Sequence, residues 1–264
     1  MIFGHRDGGG KIGLGGVTNP TEAVHIGAGS NLRNTGSFGD VRLYVDGNIS
    51  GSATSTGSFG AINVDQGNGG VGNQSNTRFG RSAGLNWGTG TENTYIGNQA
   101  GKGASGNESY NTGLGSFALY AVTDGDSNVA VGVDVGTALT TGDDNMLIGR
   151  GAGNAITGTS DTVLIGRDAG GAINSTDANG TVAIGYQAGL ALTEGQYNVL
   201  LGYQAGKTIT TSDRNVAIGY EALRDLSATG AQKNIVIGWK AGLGGSGDMS
   251  DNIAIGDNAM DGTG

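Results

Sequence analysis

The sequence has no cysteine, one proline and two histidines in 264 residues. Without cysteine there are no disulfides and no thiolate metal centres. His5 and His25 stand near the N-terminus, with no acid or serine partners in a recognisable catalytic order. Charged residues make up only 14%, too few for the charge-rich composition of ordinary disorder. The 14 basic residues are scattered under a net charge of −9, so there is no basic stripe for nucleic acid. No apolar run approaches the length of a membrane span, and M-I-F-G-H-R-D-G-G-G lacks the apolar centre of a signal peptide. Aromatics are 6%, thin for a globular enzyme of this size. Glycine fills 56 positions, yet no G-X-Y period exists, which rules out collagen.

What the glycines do show is a clock. A glycine preceded by an aliphatic or aromatic residue falls at 80, 97, 115, 132, 149, 166, 185, 202, 219, 238 and 256. Six of the ten intervals are 17 residues, two are 18 and two are 19, with no helical pattern inside them. A fixed period of this length predicts an all-β fold, a parallel β-roll or β-solenoid of about eleven coils.

Numbering each coil from its glycine as position 0 exposes further columns. Position −1 is apolar throughout, from Phe79 and Ile96 to Ile237 and Ile255. Position −3 is Val, Ile or Met from Val129 onward, and Thr in the first three coils. Position +3 is Ala in ten coils, and +7 is large and apolar in eight, including Trp87, Val122, Leu139, Ile173, Ile209 and Leu226. Alternation at −3 and −1 predicts a short strand with those two side chains inward. The +7 residue, usually followed by Thr or Ser, predicts a second strand. Position −2 would then face away from the coil's own interior. It reads Ala130, Leu147, Leu164, Ala183, Leu200, Ala217, Val236 and Ala254. A strand apolar on both faces is buried on both, so a neighbouring chain is expected.

Position −4 is Asn in nine coils, among them Asn93, Asn128, Asn145, Asn198, Asn215, Asn234 and Asn252, with Thr162 and Thr181 as exceptions. Such a file predicts a structural amide ladder along the stack. Position +1 carries Arg150, Arg167, Tyr186, Tyr203, Tyr220 and Trp239 on successive coils. Aromatic rings at this spacing suit either sugar rings of a surface polysaccharide or a groove between subunits. Acidic residues gather near −6 (Asp126, Asp143, Asp213), with Asp144 and Asp161 beside them, and read as a solvated acidic face.

Motifs of cofactor and metal chemistry fail on inspection. Gly206-Lys207-Thr208 lacks the earlier glycine of a phosphate loop, since Leu201 stands there. Gly101, Gly103 and Gly106 match G-x-G-x-x-G without a strand–helix unit around them. Asp124-x-Asp126-x-Asn128 begins like a calcium loop but has Val129 and Val135 where Gly and Glu belong. In Gly244-Gly245-Ser246-Gly247, Met249 replaces the Asp of the calcium-roll repeat. No cofactor and no enzymatic activity are expected. Asp143 and Asp144 are a carboxylate pair, but the coils leave no room for the cleft-forming loops of a glycan-cleaving tailspike.

N-V-A-V-G at 128–132, N-V-A-I-G-Y-E-A at 215–222 and N-I-A-I-G-D-N-A at 252–259 resemble the head repeats of trimeric YadA-type autotransporter adhesins, repeats also found in bacteriophage tail fibres. The resemblance spans about residues 76–264. It implies a left-handed roll assembled as a parallel homotrimer. The coils here are a few residues longer than is usual for that family, and the Gly-Ala-Gly turn is distinctive.

Residues 1–75 lack the clock and are expected to form an irregular β-rich shaft. T-G-S-F-G-D-V-R-L-Y-V-D-G-N at 35–48 is partly repeated at 56–68, with strands expected at 41–45 and 62–64. The stretch 11–27 resembles a segment of phage tail-fibre and tailspike proteins, which often continue into a self-cleaving chaperone domain, so a longer natural polypeptide is expected. Together these features point to a non-enzymatic tail-fibre segment in a virion, or a cell-surface adhesin head. Its partners would be a surface glycan or protein receptor and other fibre proteins, with no nucleic acid and no membrane insertion. An ice- or surface-binding solenoid would need a flat Thr array; the file Thr140, Thr157, Thr193, Thr210 is broken by Asn174 and Ser227.

Overall fold

The computed structural model describes residues 5–6, 12–13, 76–85, 88–103, 106–225, 231–243 and 250–262. The chain divides into two compact units, Met1–Gly60 and Ala61–Gly264. In the first, β1 (His5–Arg6) pairs antiparallel with β2 (Ile12–Gly13). The strands expected at 41–45 and 62–64, and Trp87 and Leu226 of the +7 column, lie outside the described residues.

The second unit is a β-solenoid. One three-residue strand per coil, from β3 (Thr77–Phe79) to β13 (Ile253–Ile255), stacks into an eleven-stranded parallel sheet in strict chain order. Each strand occupies positions −3 to −1, and like positions pair: Val199 with Val216, Val216 with Ile235, Ile235 with Ile253. At the spacing of parallel strands the ladder is roughly 50 Å long. The amide at −3 donates to the −4 carbonyl of the next coil (Val129 to Asn145, 2.8 Å), and the register glycine's amide donates back to the −1 carbonyl of the preceding coil (Gly132 to Leu114, 2.8 Å).

Each coil turns at backbone conformations with positive φ. Position −5 is left-handed in every described coil, for example Ser127 (φ 59°), Arg214 (φ 55°) and Asp251 (φ 60°). So are +2 and +4, as at Gln204 (φ 54°) and Gly206 (φ 57°). The register glycines sit elsewhere, near φ +135°, in a region closed to other residues. They are also stacked on one another: a Cβ on Gly202 would lie 2.2 Å from the carbonyl oxygen of Gly219. Two independent requirements therefore set the clock.

The facing of the strand is opposite to the expectation. Position −2 points inward: Ala130, Leu147, Leu164, Ala183, Leu200, Ala217 and Val236 have no exposed surface in the single chain. Positions −3 and −1 point out, with Met146 42% and Leu201 40% exposed. The reason is the Asn at −4, which is itself buried and shares parity with −2. In a period-2 element one anchored side chain fixes the facing of all the others.

Inside the roll, the −2 residue meets Ala at +3 and the apolar residue at +7; Val122, Leu139, Ile156, Ile173, Leu192 and Ile209 are fully buried. In several coils volume is traded between −2 and +4. Where −2 is Leu147, Leu164 or Leu200, +4 is Gly153, Gly170 or Gly206, each with those leucine methyls close to where its Cβ would be. Where −2 shrinks to Gly113 or Ala217, +4 becomes Leu119 or Leu223, both fully buried. Tyr95, the largest −2 residue, fills the space left by Gly101 and Gly113.

Among the described residues the +7 segment is not a second strand. Its side chains are inward as expected, but its backbone stacks as a turn. The Thr140 carbonyl alone accepts from the amides of Thr123, Asp124 and Gly125 at 3.0–3.1 Å, rather than in the alternate-residue pattern of a strand. Among the described residues the one helical element, a 3₁₀ turn at Thr176–Ala178, takes up the extra residues of the 19-residue interval between Gly166 and Gly185.

Candidate functional site

Two polar ladders hold the corner that precedes each strand. In the first, the Asn at −4 acts upward along the stack. The Asn128 side-chain oxygen accepts from the backbone amide (3.0 Å) and the side-chain amide (2.9 Å) of Asn145, and its Nδ2 donates to the Gly142 carbonyl at 2.8 Å. Asn111 and Asn215 repeat the pattern one coil on, at Asn128 and Asn234. Asn93, Asn145 and Asn198 each donate to the −7 carbonyl of the following coil, Glu108, Thr159 and Ser212 respectively. Asn252 of the last coil donates to Asn234 at 3.1 Å. At the exceptions, the Thr162 hydroxyl donates to the Asn145 oxygen at 2.6 Å, and the Thr181 hydroxyl to the Gly195 carbonyl at 3.3 Å.

The second ladder runs downward at −6 and was read in the sequence only as an acidic face. Asp126 accepts the amide of Ser109 (2.6 Å), Asp143 that of Asp126 (2.8 Å), Ser160 that of Asp143 (3.0 Å), and Asn179 that of Ser160 (2.8 Å). Asp213 does the same for Gln196 at 2.8 Å. These carboxylates satisfy backbone donors of the stack. The signal was available: every residue used this way at −6 is a short acceptor, Asp, Asn or Ser.

The Thr file, at the surface, also bonds along the stack. Thr123, Thr140 and Thr193 donate their hydroxyl hydrogens to the carbonyl of the equivalent residue one coil on, at 3.0–3.2 Å. Thr157 donates to Asn174. Their donors are spent on the ladder.

With −4 and −2 inward, the alternate positions −5, −3, −1 and +1 form the outward face. Its two middle columns are aliphatic for most of the ladder, from Val129 and Val131 to Ile253 and Ile255, and half-buried or exposed in the single chain. Its two edges are polar or aromatic. The −5 edge carries Asp144, Asp161, Tyr197, Arg214 and Lys233, all exposed. Nothing in the sequence singled this column out, because its residue types share no chemistry.

The +1 edge carries the aromatic column. Tyr186 and Tyr203 stack at 5.2 Å and 20°, Tyr203 and Tyr220 at 5.0 Å and 5°, and Tyr220 and Trp239 at 6.3 Å and 15°. The Arg167 guanidinium lies 5.5 Å from the Tyr186 ring, and the Lys240 ammonium 4.5 Å from Trp239. Both faces of Tyr203 and of Tyr220 are thus taken by neighbouring rings. A sugar lying on a ring face has no access to them; they present edges and hydroxyls, with Tyr203 and Tyr220 just over 40% exposed.

One carboxyl is out of place. Glu108, at −7, is buried with Oε2 lacking a hydrogen-bond partner. Burial, together with the Asp124 and Asp126 carboxylates, pushes it up to about 7. Among the described residues no group of three or more His, Cys, Asp or Glu could hold a metal ion, and no helix is long and apolar enough to cross a membrane.

Comparison with protein-family models, curated proteins and solved structures finds no match to this chain.

Proposed function

We propose that this chain is a non-enzymatic structural segment of a homotrimeric fibre, a stiff spacer in a bacteriophage tail fibre that serves host attachment. The observation that carries the reading is the outward face. Parallel sheets normally have both faces covered, and this one presents two columns of Val, Ile, Leu and Met along most of its length with nothing against them in a single chain. A continuous apolar surface of this extent marks an interaction site. The resemblance to YadA-type repeats supplies the number three, the parallel arrangement and the left hand. Hydrogen-bond ladders along the axis and apolar burial across it would together give a rod that resists bending and proteolysis, located in the virion.

The same features support a second reading, the head of a bacterial trimeric adhesin at the cell surface. The fibre-like N-terminal stretch at 11–27 favours the virus. Either way a surface glycan or protein would be the receptor, with other fibre or virion proteins joined at the ends.

Mass in solution, by sedimentation equilibrium or native mass spectrometry, tests the central point. A trimer is expected at all accessible concentrations; a stable monomer would refute the fibre. Purified protein that competes with phage for adsorption would then separate the viral from the bacterial reading.

A further inference from the structure

We infer that adjacent copies of this chain meet edge to edge, the +1 column of one copy lying against the −5 column of the next at the same level of the rod. This rests on the trimeric reading above and adds to it which side chains specify the contact. In a cyclic trimer every interface joins two different patches, because like patches meet only across a two-fold axis. When the apolar middle columns of three copies converge on one axis, rotation brings the −5 edge of one face to the +1 edge of its neighbour. Closure of the ring also forbids axial stagger, since any offset would accumulate around it. Symmetry thus dictates which residues are opposed, and the sequence can be checked against it.

The check comes out complementary. Arg150 faces Asp144, Arg167 faces Asp161, Tyr203 faces Tyr197, Tyr220 faces Arg214 and Trp239 faces Lys233, with Tyr186 opposite Gly180 at the level between the second and third of these. These are two ion pairs and three contacts made at ring edges and hydroxyls, since the ring faces are closed by stacking and by Lys240. A shift of one coil in either direction keeps only one of the two Arg–Asp pairs. At the last level Asp257 faces Asp251, the one like-charge meeting.

All these side chains are at the surface of the single chain, Tyr186 at the head of the column being half-buried. Arg150, Asp144 and Asp161 make no ion pair among the described residues. The others hold contacts within the chain: Arg167 with Asp168 at 3.2 Å and with the Tyr186 ring at 5.5 Å, Lys233 with Asp251 at 3.9 Å, Arg214 about 6.0 Å from the Tyr197 ring, and the +1 rings with one another and Lys240. The stacked aromatic column, whose ring faces are closed to sugars, gains a role as the rim of the interchain seam.

Cysteine pairing tests the geometry directly, in a chain that has none of its own. Ser127 (−5) and Val133 (+1) share a level. The extended strand Val129–Val131 lies between them, and its roughly 10 Å already exceeds the Cα separation a disulfide can span within one copy. Oxidised Ser127→Cys/Val133→Cys protein should run as a covalent trimer on a non-reducing denaturing gel, and either single variant as a monomer. A native trimer whose double variant fails to cross-link overturns the edge assignment but leaves the trimer standing; a native monomer overturns the trimer itself. A charge exchange gives the second arm. Arg150→Glu/Arg167→Glu should weaken assembly, and adding Asp144→Arg/Asp161→Arg should restore it. When the fourfold variant is refolded with the parent chain, the two should sort into separate homotrimers. Statistical mixing of the two chains would overturn the complementarity.

Discussion

Replacing Asn128 with Ala puts a magnitude on the amide ladder. Asn128 is fully buried; its oxygen serves two donors of Asn145 and its Nδ2 serves the Gly142 carbonyl. Alanine leaves the Asn145 amide and the Gly142 carbonyl without those partners, in a place water does not reach. Each buried backbone group left unpaired costs about 1–3 kcal/mol, so the pair should cost about 2–6 kcal/mol. The Asn145 Nδ2 keeps the Thr159 carbonyl at 2.8 Å and adds little to this. That loss is a large part of the ~5–15 kcal/mol typical of a whole domain. The internal control is Asn252→Ala. Asn252 is only half-buried, and its oxygen accepts from no coil beyond it among the described residues. Its loss should cost under about 1 kcal/mol. Guanidinium unfolding at one fixed protein concentration measures both, since assembly makes stability concentration-dependent. Equal midpoint shifts for the two variants would refute the ladder as the source of the effect. Asn128→Thr should fall between parent and Ala, because the Thr181 hydroxyl donates to the Gly195 carbonyl, the place equivalent to Gly142.

Gly202→Ala should prevent folding or cost several kcal/mol, combining a forbidden φ of 142° with a clash against Gly219, whereas Gly256→Ala meets nothing within 4 Å and should show only the backbone strain of about 1–3 kcal/mol; comparing their melting temperatures separates the two causes. Leu200→Ala should cost about 2–5 kcal/mol as an interior cavity, while Leu201→Glu, on the outward face, should leave coil secondary structure by circular dichroism intact and abolish assembly by sedimentation. Glu108 binds its proton more tightly folded than unfolded, so stability should fall as pH rises from about 4.5 to about 7 and level off above. Glu108→Gln should remove that slope in melts recorded across this range; a slope unchanged by the substitution would acquit Glu108.

The sequence by itself determined the period, the parallel stack and the two columns that make the stack close: glycine at 0 and asparagine at −4. These are legible because each demand recurs at the same place in every coil, so a single chain displays eleven answers to one steric or hydrogen-bonding question. It also supplied the inward apolar residue at +7. Tertiary structure alone decided which way the strand faces. Val-Ala-Val and Met-Leu-Ile are apolar at all three positions, and hydrophobicity cannot choose a side when both sides qualify; the buried Asn one residue upstream makes the choice. The same applies to +7, where an inward apolar side chain is compatible with strand or turn. Only the triple acceptance by the Thr140 carbonyl distinguishes them. The acidic −6 residues and the aromatic +1 rings were visible as columns, but what a column does depends on the direction of its side chains. Carboxylates bent back onto backbone amides became part of the scaffold, and rings stacked face to face closed the surfaces a sugar would have used.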